Sequence, residues 1–262
     1  MLCSDLLSFW SLQRLSFASD EGFRFGRADK TVSGIQLCWM PTLDAIEAAA
    51  QSRCNLMVVH EELNFPPVYA GASLEDSLCG VTYQRMQKLL QYDITLFRAH
   101  SSLDTLCILD VFGSLLGLGN PEIYGGYSQR VYDFPPVAFD ALCRSVQERT
   151  GLPYLRVCGN PEQVVSRAAL LWGGVGISAN SYTLQDALQH GADVIIAGEA
   201  EEIPMLAAAD AGVCYVETGH SHSENPGLQR VQSMLAAQFQ EVPVLYYENR
   251  RPWRLGGGGA ET

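Results

Sequence analysis

Basic residues are scarce in this chain. Seventeen Lys and Arg stand against 29 Asp and Glu, for a formal net charge of −12. No Lys/Arg-rich stretch is present that would displace counterions from a phosphate backbone, so nucleic acid is excluded as an expected partner. Long apolar runs are lacking as well. None reaches the roughly 20 residues that cross a bilayer, and the opening "MLCSDLLSFWSLQRLSF" has no basic segment leading into a clean apolar stretch and a small-residue cleavage site. The expectation is a cytoplasmic protein with no membrane partner. Eight cysteines are present without a single C-x-x-C pair, and several lie inside apolar runs, as reduced core thiols do. Two familiar catalytic signatures are missing too. There is no G-x-S-x-G to seat a nucleophilic serine, and no G-x-G-x-x-G with a downstream ribose-binding acid, so no dinucleotide is expected.

What is present is a strand and helix rhythm. "GIQLCWM" is β-compatible, "PTLDAIEAAAQSRC" suits a helix opening near Pro41, and "NLMVVH" is a short buried strand ending in His60. That order implies a parallel strand pair joined by a crossover helix. It recurs with "VTYQRMQKLLQY" as helix, "DITLFRAH" as a strand ending in His100, and "LDTLCILDVFGSLLG" as helix. The Gly and Pro content of "GNPEIYGGYSQRVYDFPP" marks a loop or linker. A second α/β layer follows, with "VAFDALCRSVQERTG" as helix, "ADVIIAGE" and "VCYVETGH" as strands, and a closing helix and strand in "LQRVQSMLAAQFQEVPVLYYEN". The tail "RLGGGGAET" has the composition of a flexible segment. Gly159 with Asn160 and Pro161, and the cluster Gly173, Gly174 and Gly176, are each compatible with a tight turn or an anion nest.

Only five histidines occur, and His60, His100, His220 and His222 all fall at or just past predicted strand ends. Ligand chemistry in open α/β sheets gathers outside the carboxyl ends of strands, which gives that placement weight. His190, in "LQHGAD", reads as an ordinary helix terminus and is left out of the site. Acids sit close to three of the four. His60 is followed by Glu61 and Glu62, His100 by Asp104 four residues on, and His220 by Glu224 four residues on. A spacing of four is about one helical turn, so each such pair can present nitrogen and oxygen from one face. Imidazole with carboxylate suits transition metals such as Zn, Mn or Fe, and there are enough donors for two divalent ions. For His222, two positions from His220, ligation and a supporting or solvent-facing role both stand open at this point.

The ordered set "GIQLCW", "NLMVVHEELNF", "DITLFRAHSSLD", "GADVIIAGE" and "VETGHSHSE" resembles the NGG-interacting-factor-three family, whose bacterial members often carry the label GTP cyclohydrolase I type 2. The resemblance runs from about residue 29 to about residue 230, and its most specific pieces are "HSSLD" and "GHSHSE". It implies an α/β fold of two interlinked lobes with mixed sheets and a metal-binding cleft between them, and a homo-oligomer, commonly a hexamer built from dimers. The expected lobes are residues 1–125 with 225–262, and residues 126–224, without an inserted third domain. The match implies His100, Asp104, His220 and Glu224 as ligands, with Asp104 and Glu224 the shared carboxylates. His60 matches the first of a His-His pair whose second member is Glu61 in this chain. That replacement shifts metal preference toward Fe or Mn if Glu61 ligates, or frees Glu61, with Glu62, to move protons as a catalytic acid or base. Where the family often has a further His, "AGEAEEIPM" offers Glu199, Glu201 and Glu202. The expected function is a dinuclear metal-dependent hydrolase acting through metal-bound hydroxide on a small, cyclic or amide-containing substrate. Metal delivery without hydrolysis and regulatory protein interaction are the alternatives.

Overall fold

The computed structural model describes residues 1–65, 73–125 and 129–253, and within these not the side chains of Leu74 and Ser77. The glycine-rich tail expected from residue 254 onward lies outside the described residues. Strands are β1 (Gly22–Phe25), β2 (Ile35–Cys38), β3 (Leu56–Val59), β4 (Thr95–Arg98), β5 (Glu122–Tyr124), β6 (Gln129–Ala138), β7 (Arg156–Cys158), β8 (Val164–Leu171), β9 (Val194–Ala197), β10 (Cys214–Glu217) and β11 (Val244–Tyr247). The chain divides into two units. Unit 1 takes Met1–Ser8, Ser19–His100 and the segment from Phe239 on, and unit 2 takes Phe9–Ala18 and Ser101–Gln238. Residues 9–18, 101–125 and 225–238, expected with the first lobe, cluster with unit 2. For the last two the cause is a contact between helices that a strand and helix rhythm does not reveal: the helical run after residue 100 packs along the helix His220–Gln238.

Unit 1 is built on a five-stranded sheet of order β1-β4-β3-β2-β11. The pairs β4-β3, β3-β2 and β2-β11 are parallel, and β1 closes the edge antiparallel to β4. Strands β2, β3 and β4 are buried at every position, which is why they read as continuous apolar runs rather than as alternating ones. The helices Leu43–Gln51 and Gly80–Gln91 are the crossovers between them. The first is capped by Thr42, whose hydroxyl accepts from the Ala45 N–H at 3.2 Å. Its Ala45, Ile46 and Ala49 join Cys38, Met57, Val59 and Leu96 in one core cluster.

Unit 2 carries a six-stranded mixed sheet of order β5-β6-β8-β9-β10-β7, parallel across β8, β9 and β10 and antiparallel at the other pairings. Successive residues of these strands feed two different cores. Ala168, Leu170, Val194, Ile196, Cys214 and Val216 enter one, and Ala169, Leu171, Ile195, Ala197 and Tyr215 enter the other. The stretch expected to be a loop, 119–136, instead contributes β5 and most of β6. Its Pro135 and Pro136 are tolerated because the β6–β8 ladder shifts register between Asp133 and Val137, where a missing N–H costs no ladder bond. The helix expected from residue 228 begins at His220 and runs to Gln238 with Pro226 inside. Proline leaves one turn without its backbone bond but does not end the helix, because the flanking turns are held by packing. The helical run expected over 103–117 forms as Ser101–Leu103, a π-helical stretch Asp104–Ile108, and Leu109–Leu115. Gly227 lets the long helix approach that stretch closely, since a Cβ there would stand 2.6 Å from the Ile108 Cα.

Candidate metal centre

In unit 1 the site grows directly from sheet topology. Parallel strands β3 and β4 end side by side, and the residues that leave them are His60 and His100. Their ring centroids lie 4.8 Å apart. His60, Glu61 and His100 each present one ligand-type atom, all within 4.8 Å of one another. His60 is fully buried, and its Nδ1 faces the Ala99 carbonyl at 3.1 Å, which favours the tautomer with the proton on Nδ1 and the lone pair on Nε2. The backbone N–H of His100 donates to Glu21 Oε1 at 2.5 Å, and its Nδ1 stands 3.6 Å from Asp20 Oδ2.

Glu62, expected beside Glu61 as a proton-moving acid, turns inward. Its Oε1 accepts from Arg98 Nη1 at 2.9 Å, while the guanidinium also donates from Nε to the His60 carbonyl at 3.1 Å and from Nη1 to Asp20 Oδ2. Burial pushes the Glu62 carboxyl above its ordinary range despite the opposing Arg98 charge. Burial also works against the Asp20 carboxylate, but there the Arg98 charge and hydrogen bond prevail and hold it below the ordinary range.

In unit 2 the donors sit on helical turns. His220 and Glu224 are one turn apart at the start of the long helix, with Nε2 and Oε1 3.4 Å apart, and Glu224 is buried. His220 Nδ1 meets Glu199 Oε2 at 3.0 Å, so here too the proton is favoured on Nδ1, which donates to the carboxylate, and Nε2 is directed at Glu224. Asp104 opens the π-helical stretch, and its Oδ1 accepts from Trp172 Nε1 at 3.2 Å. The cluster Gly173, Gly174 and Gly176 is a turn after β8 that closes over these groups. A Cβ on Gly173, whose φ is +52°, would stand 2.0 Å from Glu224 Oε1, and one on Gly174 would stand 3.1 Å from the His220 ring. Ser223 ties the turn to the helix, accepting from Gly173 N at 2.7 Å and donating to the His220 carbonyl at 2.7 Å.

The donor set fits divalent transition ions. Three imidazoles have Nδ1 turned toward an oxygen of Ala99, Asp20 or Glu199, the arrangement that presents Nε2 for ligation, and Glu61, Asp104 and Glu224 supply carboxylate oxygen. Among the described residues no ligand-type cluster includes His222. His190 bonds the Asp186 carbonyl through Nδ1 at 2.8 Å and stacks on Tyr124, an ordinary helix-terminus histidine as expected. Asp20, Glu21, Arg98, Trp172 and Ser223 had no signal in the linear sequence, because each acts through a partner far along the chain. The cysteines are free thiols, and burial pushes Cys54, Cys107 and Cys143 up to about 11, away from thiolate chemistry at neutral pH. No helix among the described residues is long and apolar enough to cross a membrane.

Fold and donors together describe a mixed α/β protein with two mixed sheets and clusters of metal-ligand residue types at strand ends and helix starts. The sequence model of the Duf34/NIF3 (NGG1p interacting factor 3) family matches residues 4–252, and the chain belongs to that family. A Clostridium acetobutylicum protein named GTP cyclohydrolase 1 type 2 homolog is 21% identical, over 95% of this chain and 94% of its own. A Chlamydia trachomatis protein of the same name is 24% identical, over 95% and 99%. The crystal structure of a Bacillus cereus protein related to NIF3 shares the fold with a TM-score of 0.79 at 15% identity, covering 98% of this chain and 99% of that one.

Proposed function

We propose that this protein binds two divalent transition-metal ions, Fe, Mn or Zn, through His60, Glu61, His100, Asp104, His220 and Glu224, and hydrolyses a small cyclic or amide-containing substrate. The observation that carries the reading is the convergence of His60, Glu61 and His100, whose ligand-type atoms all lie within 4.8 Å of one another. When bound, such ions lower the pKa of a coordinated water from 15.7 toward about 7 and polarise a substrate oxygen. The protein's own residues do the rest. Buried Glu224 and the glycine turn at 173–174 keep bulk water from one side of the donors. Of the two neighbouring acids Glu62 is committed to Arg98, so a Glu61 that does not ligate is the one left to hold or pass a proton. The name shared by relatives keeps ring-opening hydrolysis among the candidate reactions. A cytoplasmic setting accords with the free thiols, and a homo-oligomer, as a hexamer built from dimers, is part of the same proposal.

The test is metal content of the purified protein and of the His100→Ala, Asp104→Ala and Glu224→Ala variants, with turnover of cyclic amides, nucleotides and pterin precursors followed in parallel. Bound metal in the parent that falls in each variant, with turnover abolished in Asp104→Ala, is the expected result. A parent with metal stoichiometry near zero after loading with Fe, Mn or Zn overturns the proposal.

A further inference from the structure

We propose that Asp20 and Glu21, backed by the buried Arg98, form a clamp that sets the orientation of His100 and so decides which ring nitrogen it offers. The contacts lie inside unit 1. Only the last step, from orientation to metal affinity, rests on the metal-binding reading.

Arg98 is the last residue of β4 and is fully buried. A buried guanidinium persists only where carboxylates and carbonyls surround it, since a buried charge without partners is strongly destabilising. Here it holds Glu62, the Asp20 side chain and backbone carbonyl, and the His60 carbonyl at once. Asp20 Oδ2 is therefore held by Arg98 and the same oxygen faces His100 Nδ1. At 3.6 Å that approach is too long for a hydrogen bond, yet the carboxylate charge still favours the proton on Nδ1. Glu21 completes the grip through the His100 backbone N–H. The two acids are delivered by the sheet itself. β1 pairs antiparallel with β4 so that Gly22 lies opposite Arg98, and Gly22 takes a φ of +110° to turn the chain from the acids into the strand. His60 has its carbonyl held by the same guanidinium, so one buried cation braces both histidines of unit 1.

The experiment records ring-nitrogen NMR of ¹⁵N-histidine-labelled, metal-free protein, and then Mn²⁺ affinity by calorimetry. Asp20→Ala is the principal variant, because it leaves Arg98 paired with Glu62; Arg98→Met is the second, and Asp29→Ala is the control for loss of an acid from the same unit. The expected result is a shift of His100 away from the Nδ1-protonated tautomer in Asp20→Ala with His220 unmoved, and Mn²⁺ affinity lower by about 10-fold or more. Asp29→Ala matches the parent in both readouts, and Asp20→Glu restores the tautomer at least in part. An unchanged His100 tautomer in folded Asp20→Ala overturns the clamp, as does an equal shift in Asp29→Ala. Should the parent bind no Mn²⁺, Fe²⁺ or Zn²⁺, the metal-binding reading falls, and the tautomer measurement still decides the clamp.

Discussion

The two units hold their donor residues by different physical means. In unit 1, His60 and His100 stand at the ends of neighbouring parallel strands and are steadied by charge: Arg98, Asp20, Glu62 and Glu21 surround them. In unit 2, Asp104, His220 and Glu224 stand on helical turns and are steadied by close backbone approach, with Gly173, Gly174 and Gly227 at the points of contact. Charge tolerates small changes of shape but not loss of a partner. Packing tolerates loss of charge nearby but not an added methyl group.

The sharpest way to test that contrast is Gly173→Ala. Its new Cβ meets a Glu224 oxygen at 2.0 Å, and its φ of +52° disfavours any side chain. A destabilisation of about 2–4 kcal/mol by urea unfolding, with metal stoichiometry reduced, is expected; parent-like stability and metal content would show that the turn does not constrain the donors. Metal itself should have the next largest effect. Loading at about 100 times Kd stabilises by about 2.7 kcal/mol, reversed by chelator, if the ions bind only the folded chain. Gly227→Ala should follow at about 1–3 kcal/mol, because the Cβ strikes the backbone of Ile108 in the stretch that carries Asp104. It should lower metal affinity although residue 227 is no ligand. The smallest effect belongs to Thr42→Ala, which removes a helix cap in unit 1 at a cost of about 1 kcal/mol. Metal stoichiometry should not change, and a change would mean that unit 1 is not braced by its charge network.

Much of this arrangement was readable in advance. Runs such as "NLMVVH" and "ADVIIAGE" announce buried parallel strands, and the histidines behind "VV" and "RA" fall at strand ends for that reason. The i, i+4 pair His220 and Glu224 was readable as well, although the helix that carries it starts eight residues earlier than expected, across Asn225, Pro226 and Gly227. β1 was not readable, because four residues at a sheet edge make too short a pattern. Nor was β6, whose two prolines mimic a linker until the shifted register beside them is seen.

Local chemistry along the chain thus determined which segments become buried strands, which residue types gather at their ends, and that these types suit a transition metal. Tertiary structure alone decided how those residues are held. Asp20 and Arg98 lie 78 positions apart, and Gly173 and Glu224 lie 51 apart. Periodicity reports only on neighbours within a turn or a pleat, whereas a carboxylate finds its guanidinium, and a glycine its facing side chain, only when the sheets have brought distant segments together.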